Sequence, residues 1–160
     1  MQNAFQGTFD MGVVVEDASS KDLERLWGIE KECFKEEAFT KHQLSQLLND
    51  YNTVSLVARK QDEIAGFVIG MIYFERKALH GHILTIDIGH LYRRKGFGRL
   101  LMDEIETIFK LKGAKASYLE VREDNAPAIG LYLNLGYKII GRLDNYYGKV
   151  HGIYLRKPLV

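Results

Sequence analysis

The sequence is short of cysteine and of long apolar stretches. Cys33 is the only cysteine among 160 residues, so no intramolecular disulfide forms and a cysteine-based zinc site has no support. No apolar run reaches the roughly 18 residues of a membrane span, and the N-terminus lacks the charged start and apolar stretch of a signal peptide. We therefore expect a cytoplasmic protein that has no membrane partner.

Neither charge sign dominates the composition. The chain carries 22 lysines and arginines against 21 aspartates and glutamates, whereas nucleic-acid-binding domains usually present a strongly basic face. The dense basic cluster is confined to residues 93–99, so we expect a local anion site and no nucleic-acid partner. Hydrophobic residues at 46% and charged residues at 27% are typical of a globular chain. We interpret residues 1–10 as a loose arm and residues 11–160 as a single domain.

A glycine-rich basic turn joins an apolar strand pattern to an amphipathic helix pattern. A helix start offers backbone N–H groups without partners and the positive end of the helix dipole, and glycine lets a ligand approach the backbone closely. The P-loop spacing is absent, and Leu101 stands where a dinucleotide motif needs its third glycine. The turn is thus either a phosphate site of another kind or an ordinary basic helix cap. It consists of Arg93, Arg94, Lys95, Gly96, Phe97, Gly98 and Arg99.

Strand and helix signals alternate along the chain. Apolar patterns predict strands at residues 11–15, 53–59, 64–74, 82–88, 117–121, 137–143 and 150–157. Residues 75–81 and 144–149 are interpreted as connections, and Gly66 and Gly70 predict a bulge or a close neighbour. The order β-α-α-β-β-β-α-β-α-β-β indicates a mixed α/β sheet flanked by helices.

Helix starts have their own local signals. Residues 19–22 and 40–43 match capping boxes, and Asn125 stands two residues before Pro127. Gly113 and Gly136 are placed to end the third and fourth helices. We therefore expect four helices, two of which follow strands directly at turns where ligands of mixed sheets tend to bind.

Two motifs resemble the GNAT superfamily of N-acetyltransferases. Arg93-x-x-Gly96-x-Gly98 is similar to its R/Q-x-x-G-x-G/A signature, and a second family segment is matched by Leu119-Glu120-Val121-Arg122, Asn125, Ala128, Leu131-Tyr132 and Gly136-Tyr137. The order of elements also resembles the GNAT fold from about residue 11 to residue 157. The resemblance is strongest to N-terminal protein acetyltransferases, including the RimI-like enzymes that act on ribosomal protein N-termini. It implies acetyl-CoA as acetyl donor, with the N-termini of proteins or peptides, ribosomal proteins included, as partners.

The implied reaction needs a base and an acid, because an ammonium has no lone pair and the departing thiolate is helped by a proton donor. Glu120 is the lone charge in an apolar strand, on the face opposite Leu119 and Val121. The resemblance makes Glu120 the base and Tyr132 the acid, whereas the residues alone also fit a solvated glutamate and a core aromatic. His82 is a second candidate base, because its ordinary pKa suits proton transfer near neutrality. The other histidines show no ligand spacing, so we expect no metal.

Binding residues are implied in three groups. The turn 93–99 would hold the pyrophosphate of acetyl-CoA, and the backbone of Ile86, Asp87 and Ile88 would pair with its pantetheine arm, assisted by Asn125 and Tyr132. The acceptor would meet a wall of four aromatic side chains, Phe34, Phe39, Tyr146 and Tyr147. RimI-like proteins commonly carry Pro-Trp where this chain has Ala38-Phe39, in the connection that faces the acceptor. The alternatives are a small-molecule amine acetyltransferase and a non-catalytic acyl-CoA-binding module, and the oligomeric state is open.

Overall fold

The computed structural model describes residues 12–160, so the predicted arm at residues 1–10 and Met11 lie outside the described residues. The elements follow one another in the predicted order. They are β1 Val13–Asp17, α1 Leu23–Cys33, α2 Lys41–Leu48, β2 Thr53–Lys60, β3 Glu63–Glu75, β4 Ala78–Ile88, α3 Phe97–Leu111, β5 Ala116–Arg122, α4 Ala126–Asn134, β6 Lys138–Tyr147 and β7 Val150–Pro158.

The described strands form one seven-stranded sheet in the order β1-β2-β3-β4-β5-β7-β6. Neighbouring strands are antiparallel except for β4 and β5, which run parallel across the connection that contains α3. One face packs on α3 and α4, with Leu101, Ile105 and Phe109 of α3 fully buried. The other face packs on α1 and α2 around Leu26, Ile29 and Leu44. The predicted mixed α/β sheet flanked by helices is confirmed.

Local signals fix the helix starts. Thr40 accepts a hydrogen bond from the Gln43 N–H, and the Gln43 side chain accepts one from the Thr40 N–H, so the predicted capping box is present. The side-chain oxygen of Asn125 accepts from the Ala128 N–H at 3.2 Å and caps α4. The predicted box at residues 19–22 opens a turn of 3-10 helix, Ser20–Asp22, that leads into α1. Local chemistry therefore sets where these helices begin.

Two predicted connections are wrong because strands occupy most of them. β4 begins at Ala78, and the turn before it consists of Arg76 and Lys77 with φ values of 50° and 64°. Two adjacent left-handed residues are the geometry of a tight hairpin, which glycine or asparagine usually signals. β6 likewise continues to Tyr147, so that only Gly148 and Lys149 connect it to β7.

Gly66 and Gly70 mark irregularities in the sheet, as predicted. A Cβ on Gly66 would lie 2.5 Å from the Asp87 carbonyl oxygen, and the β3–β4 register shifts between Ile69 and Gly70. Ile69 pairs with Thr85 while Gly70 pairs with Ile83, so β4 carries one extra residue, Leu84, in between. Such a bulge reverses the alternation of a strand. Ile83 therefore packs on the α3 face, whereas Thr85 and Asp87 lie beneath α1.

The sheet opens between β4 and β5. The two strands pair only at Gly81 with Ser117 and at His82 with Tyr118, although β5 continues to Arg122. Along its other edge β5 pairs with β7 over its whole length. Beyond His82 the two parallel strands therefore diverge and leave a cleft at the carboxyl end of each, where mixed sheets bind their ligands.

Candidate active site

A cavity of about 350 Å³ occupies the cleft. The walls come from β4, β5, α4, α1 at Glu30, the connection between α1 and α2, and the end of β6. All three predicted catalytic residues, His82, Glu120 and Tyr132, line this one cavity. The four predicted acceptor residues line it as well: Phe34, Phe39, Tyr146 and Tyr147.

His82 and Glu120 form a pair across the point where the strands part. The distance from His82 Nε2 to Glu120 Oε2 is 2.5 Å, and the side chains are 29% and 15% exposed. Leu119 and Val121 are buried in the core, so alternation directs Glu120 to the opposite face, as predicted. The Tyr146 hydroxyl donates to the other Glu120 oxygen at 3.4 Å. The two candidate bases are thus one hydrogen-bonded pair rather than separate groups.

Tyr132 reaches the cavity from α4. It is only 6% exposed, and its ring packs edge-to-face on Tyr137 with centroids 6.0 Å apart. Burial, with smaller effects from Asp87 and Tyr147, raises the pKa of the Tyr132 hydroxyl above its ordinary value. The hydroxyl therefore keeps its proton at neutral pH and is able to donate it or a hydrogen bond inside the cavity.

The start of α3 matches the needs of a phosphate group. Gly96 precedes the helix with a φ of 89°, a left-handed conformation that favours glycine, and contributes no side-chain cap. The Leu100 N–H bonds to the Gly96 carbonyl at 3.1 Å, which leaves the earlier N–H groups of the helix without intrahelical acceptors. Arg93, Arg94 and Lys95 are exposed around this turn. These features fit the pyrophosphate of acetyl-CoA.

The backbone of Ile86 and Ile88 forms the β4 edge that faces the cleft. The Ile88 carbonyl accepts from Arg93 Nε at 3.2 Å and from Cys33 Sγ at 3.4 Å, whereas the Gly89 N–H bonds back to β3. Strand alternation therefore directs the backbone groups of Ile86 and Ile88 outward and those of Asp87 towards β3. The Asp87 side chain is 1% exposed beneath α1, so the structure places Asp87 away from the predicted cofactor edge.

Asn125 lines the cavity beside α4, but its side-chain oxygen is already used as the helix cap. Only its amide nitrogen is left for the predicted contact with the CoA chain.

Arg122 is a cavity residue whose role sequence reasoning missed. Its guanidinium pairs with Glu37 on the α1–α2 connection and with Asp124 at 2.9 Å, and lies 6.0 Å from the Tyr147 ring. One side chain thus ties together three segments that border the cleft. Glu37 is 85 residues away in the sequence, so no local pattern indicates this contact.

Within residues 12–160, no group of three or more histidine, cysteine, aspartate or glutamate side chains is arranged to hold a metal ion. None of the helices in this part of the chain is long and apolar enough to cross a membrane.

The opened parallel strands, the uncapped glycine turn and the cavity lined by His82, Glu120 and Tyr132 fit a CoA-dependent acyltransferase. The sequence pattern of the Acetyltransferase (GNAT) family matches residues 22–137, and the chain belongs to this family. GNAT acetyltransferases use acetyl-CoA. The predicted enzyme class and acetyl donor are thereby confirmed.

Named relatives include several N-terminal acetyltransferases. An N-alpha-acetyltransferase of Sulfurisphaera tokodaii is 32% identical over 117 residues, which are 68% of this chain and 70% of the relative. The [ribosomal protein bS18]-alanine N-acetyltransferase of Salmonella typhimurium is 29% identical over 138 residues, 84% of this chain and 86% of the relative. The structure of Arabidopsis thaliana NAA60 in complex with acetyl-CoA superposes with a TM-score of 0.81 at 21% identity, covering 91% of this chain and 98% of that one.

Proposed function

We propose that this protein is an N-terminal acetyltransferase that transfers the acetyl group of acetyl-CoA to the α-amine of a protein or peptide by direct attack. The observation that carries the proposal is the His82–Glu120 pair at 2.5 Å in a cavity that Tyr132 also lines. The N-alpha-acetyltransferase relatives support the α-amine as the acceptor.

The cavity residues divide the proton transfers between them. Glu120, backed by His82, takes a proton from the acceptor ammonium and so frees the nitrogen lone pair. Acetyl-CoA supplies the thioester carbonyl carbon, to which the nitrogen bonds as the carbon–sulfur bond breaks. Tyr132 donates its proton to the departing sulfur and is later reprotonated from solvent. The pair passes this first proton to water and then takes the second proton, which the nitrogen loses as the amide forms. That second proton also leaves to water and balances the one that Tyr132 regains, so the net products are the acetylated amine, CoA and one proton.

The acceptor in this proposal is a peptide chain rather than a small amine. The cavity is bordered by aromatic side chains from two separate segments, Phe34 and Phe39 on one side and Tyr146 and Tyr147 on the other. A wall on both sides suits an extended chain end, with the α-amine deepest and the rest of the peptide leaving between the segments. Ribosomal protein N-termini as acceptors are part of the proposal and are supported by the Salmonella relative. A cytoplasmic site of action is proposed with them.

The test is thiol release from acetyl-CoA with three kinds of acceptor: free-amine peptides that differ in their first two residues, the same peptides blocked at the α-amine, and polyamines. We expect turnover only with free-amine peptides. In Glu120→Gln, kcat should fall about 100-fold to 10,000-fold, the usual worth of a general base. Glu123→Gln is the matched control, because Glu123 is exposed and pairs with Arg142 at 3.6 Å on the surface.

Each contrary result identifies an alternative. Turnover of polyamines alone would establish a small-molecule amine acetyltransferase. Tight acetyl-CoA binding without turnover of any acceptor would establish a binding module. Full activity in Glu120→Gln would remove Glu120 from the base role.

A further inference from the structure

Below the acceptor wall lies a buried polar cluster that the proposed chemistry does not use. Glu30 of α1 and Asp87 of β4 are each 1% exposed, and Thr85 of β4 is 7% exposed. The bulge at Leu84 turns Thr85 and Asp87 towards α1, so three polar side chains meet in the interior. Buried polar groups cost stability unless they are hydrogen-bonded, so such a cluster calls for a physical account.

Glu30 holds both ends of the segment that carries the predicted acceptor residues. Its main-chain carbonyl accepts from the Phe34 N–H at 2.9 Å. Its side-chain Oε2 accepts from the Phe39 N–H at 3.0 Å. The connection 34–39 is therefore closed into a loop by one residue, and the position of Phe39 depends on where the Glu30 carboxylate is held.

Thr85 and Asp87 hold that carboxylate. Thr85 Oγ1 lies 3.2 Å from Glu30 Oε1 and 2.5 Å from Asp87 Oδ1. A hydroxyl has one hydrogen and cannot donate to both carboxyl groups, so both contacts are hydrogen bonds only if one of the two carboxyl groups carries a proton. Asp87 Oδ2 is buried without a partner within residues 12–160, a position that suits the carbonyl oxygen of a neutral acid better than an anion.

The charges around the cluster agree with a protonated Asp87. Burial, followed by the hydrogen bond and negative charge of Glu30, raises the pKa of Asp87 well above its ordinary value. The hydrogen bond with Thr85 and, to a smaller extent, the charge of Arg93 oppose this shift, and the Arg93 guanidinium is hydrogen-bonded to the Ile88 carbonyl and to Cys33. The hydrogen bonds then converge on Glu30: Asp87 donates to Thr85, Thr85 donates to Glu30, and the Phe39 N–H donates to Glu30.

We propose that Glu30, Thr85 and Asp87 are positioning residues that set the distance between the acceptor wall and β4. This inference rests on the proposed function, in which Phe34 and Phe39 border the acceptor and β4 borders acetyl-CoA. Glu30 and Thr85 also line the cavity, but in this proposal all three side chains act through Phe39 and β4 and not by contact with a substrate. They link the backbone of Phe39 to the strand that also carries His82, so the acceptor amine is aligned with the base by a buried chain of hydrogen bonds.

The principal variant is Thr85→Val, which keeps the shape of the side chain and removes the hydroxyl in the middle of the chain. We expect the acceptor KM to rise about tenfold, the effect of losing one hydrogen bond to a charged group. The dissociation constant of acetyl-CoA and the pH profile of kcat should stay as in the wild type. Thr107→Val is the matched control, because Thr107 is exposed and bonds to the Asp103 carbonyl within α3.

Asp87→Asn tests whether the Asp87 carboxyl group carries a proton. An asparagine is neutral and donates to Thr85 in the same direction, so the acceptor KM should stay within about twofold of the wild type. A tenfold rise in Asp87→Asn would show that Asp87 acts as an anion and would overturn the assigned directions. Glu30→Ala, which removes the acceptor of the Phe39 N–H, should raise the acceptor KM at least as much as Thr85→Val.

A second measurement separates this inference from the proposed function. Amide hydrogen exchange at Phe39 should accelerate in Thr85→Val and not in Thr107→Val, whether or not a peptide is turned over. If exchange at Phe39 is unchanged, or if it accelerates while the acceptor KM stays at the wild-type value, the positioning role is overturned. If no peptide reacts with the wild type, the proposed function fails, and exchange at Phe39 alone decides whether the chain of hydrogen bonds holds Phe39.

Discussion

Gly81 is the position where a single methyl group should damage the fold most directly. It is the first of the two β4 residues that pair with β5, next to His82. A Cβ at Gly81 would lie 2.2 Å from Phe109 Cδ2, 2.4 Å from Cε2 and 2.7 Å from Cγ. These are atoms of the body of a ring that is 0% exposed, so the ring has no free space to move into.

The expected cost follows from overpacking a closed core. Such substitutions destabilise by about 1–3 kcal/mol. In a chain of 160 residues each kcal/mol lowers the Tm by about 2–4 °C, so Gly81→Ala should melt several degrees below the wild type. Thermal and urea denaturation measure both quantities. Gly130→Ala is the control, because a Cβ there meets nothing within 4 Å in α4 and alanine favours a helix by up to about 1 kcal/mol.

A double variant identifies the ring as the cause. Phe109→Ala removes all three ring atoms nearest to the added methyl group, so Gly81→Ala should cost less in that background than in the wild type. If Gly81→Ala costs the same in both backgrounds, or behaves like Gly130→Ala, contact with Phe109 does not explain the glycine.

Three further predictions concern the site. Tyr132→Phe keeps the packing on Tyr137 and removes the hydroxyl, so kcat should fall about 100-fold at unchanged Tm in the thiol-release assay; an unchanged kcat would exclude the acid role. Gly96→Ala strains the turn at a φ of 89°, and calorimetry should show several-fold weaker acetyl-CoA binding, whereas wild-type affinity would separate the turn from the cofactor. The raised folded-state pKa of Asp87 means that the wild type loses stability as pH rises from the ordinary value of 3.8 through that pKa. The stability of Asp87→Asn relative to the wild type should therefore increase with pH by up to about 1.4 kcal/mol per unit in urea melts, and a constant difference would mean that Asp87 does not titrate there.

Most of the fold was predictable because its signals are local. The Thr40 and Asn125 caps act within three residues of themselves, and the strand patterns follow burial on one or both faces. The turn at Arg76 and Lys77 was not predictable, because these two long basic residues occupy left-handed positions that are usually taken by glycine or asparagine.

The site was predictable one residue at a time but not as an assembly. Alternation alone gives the face of Glu120, yet its partner His82 is 38 residues away and on another strand. The bulge at Leu84 reverses the alternation in the middle of β4, so a strict period of two misplaces Thr85 and Asp87. The Glu30 cluster also stayed hidden because Glu30 lies on α1, 55 residues from its partner Thr85 on β4.

The parting of β4 and β5 also has a mechanical meaning. Strands β1 to β4 and strands β5 to β7 form two groups within the sheet. Between β4 and β5 the two groups pair only at Gly81 with Ser117 and at His82 with Tyr118. A molecule bound in the cleft contacts both groups of strands and stabilises the junction between them. Its binding then stabilises the native state by an amount that grows with the logarithm of the ratio of its concentration to Kd. An acyl donor bound in this cleft is therefore both a reactant and a temporary part of the scaffold.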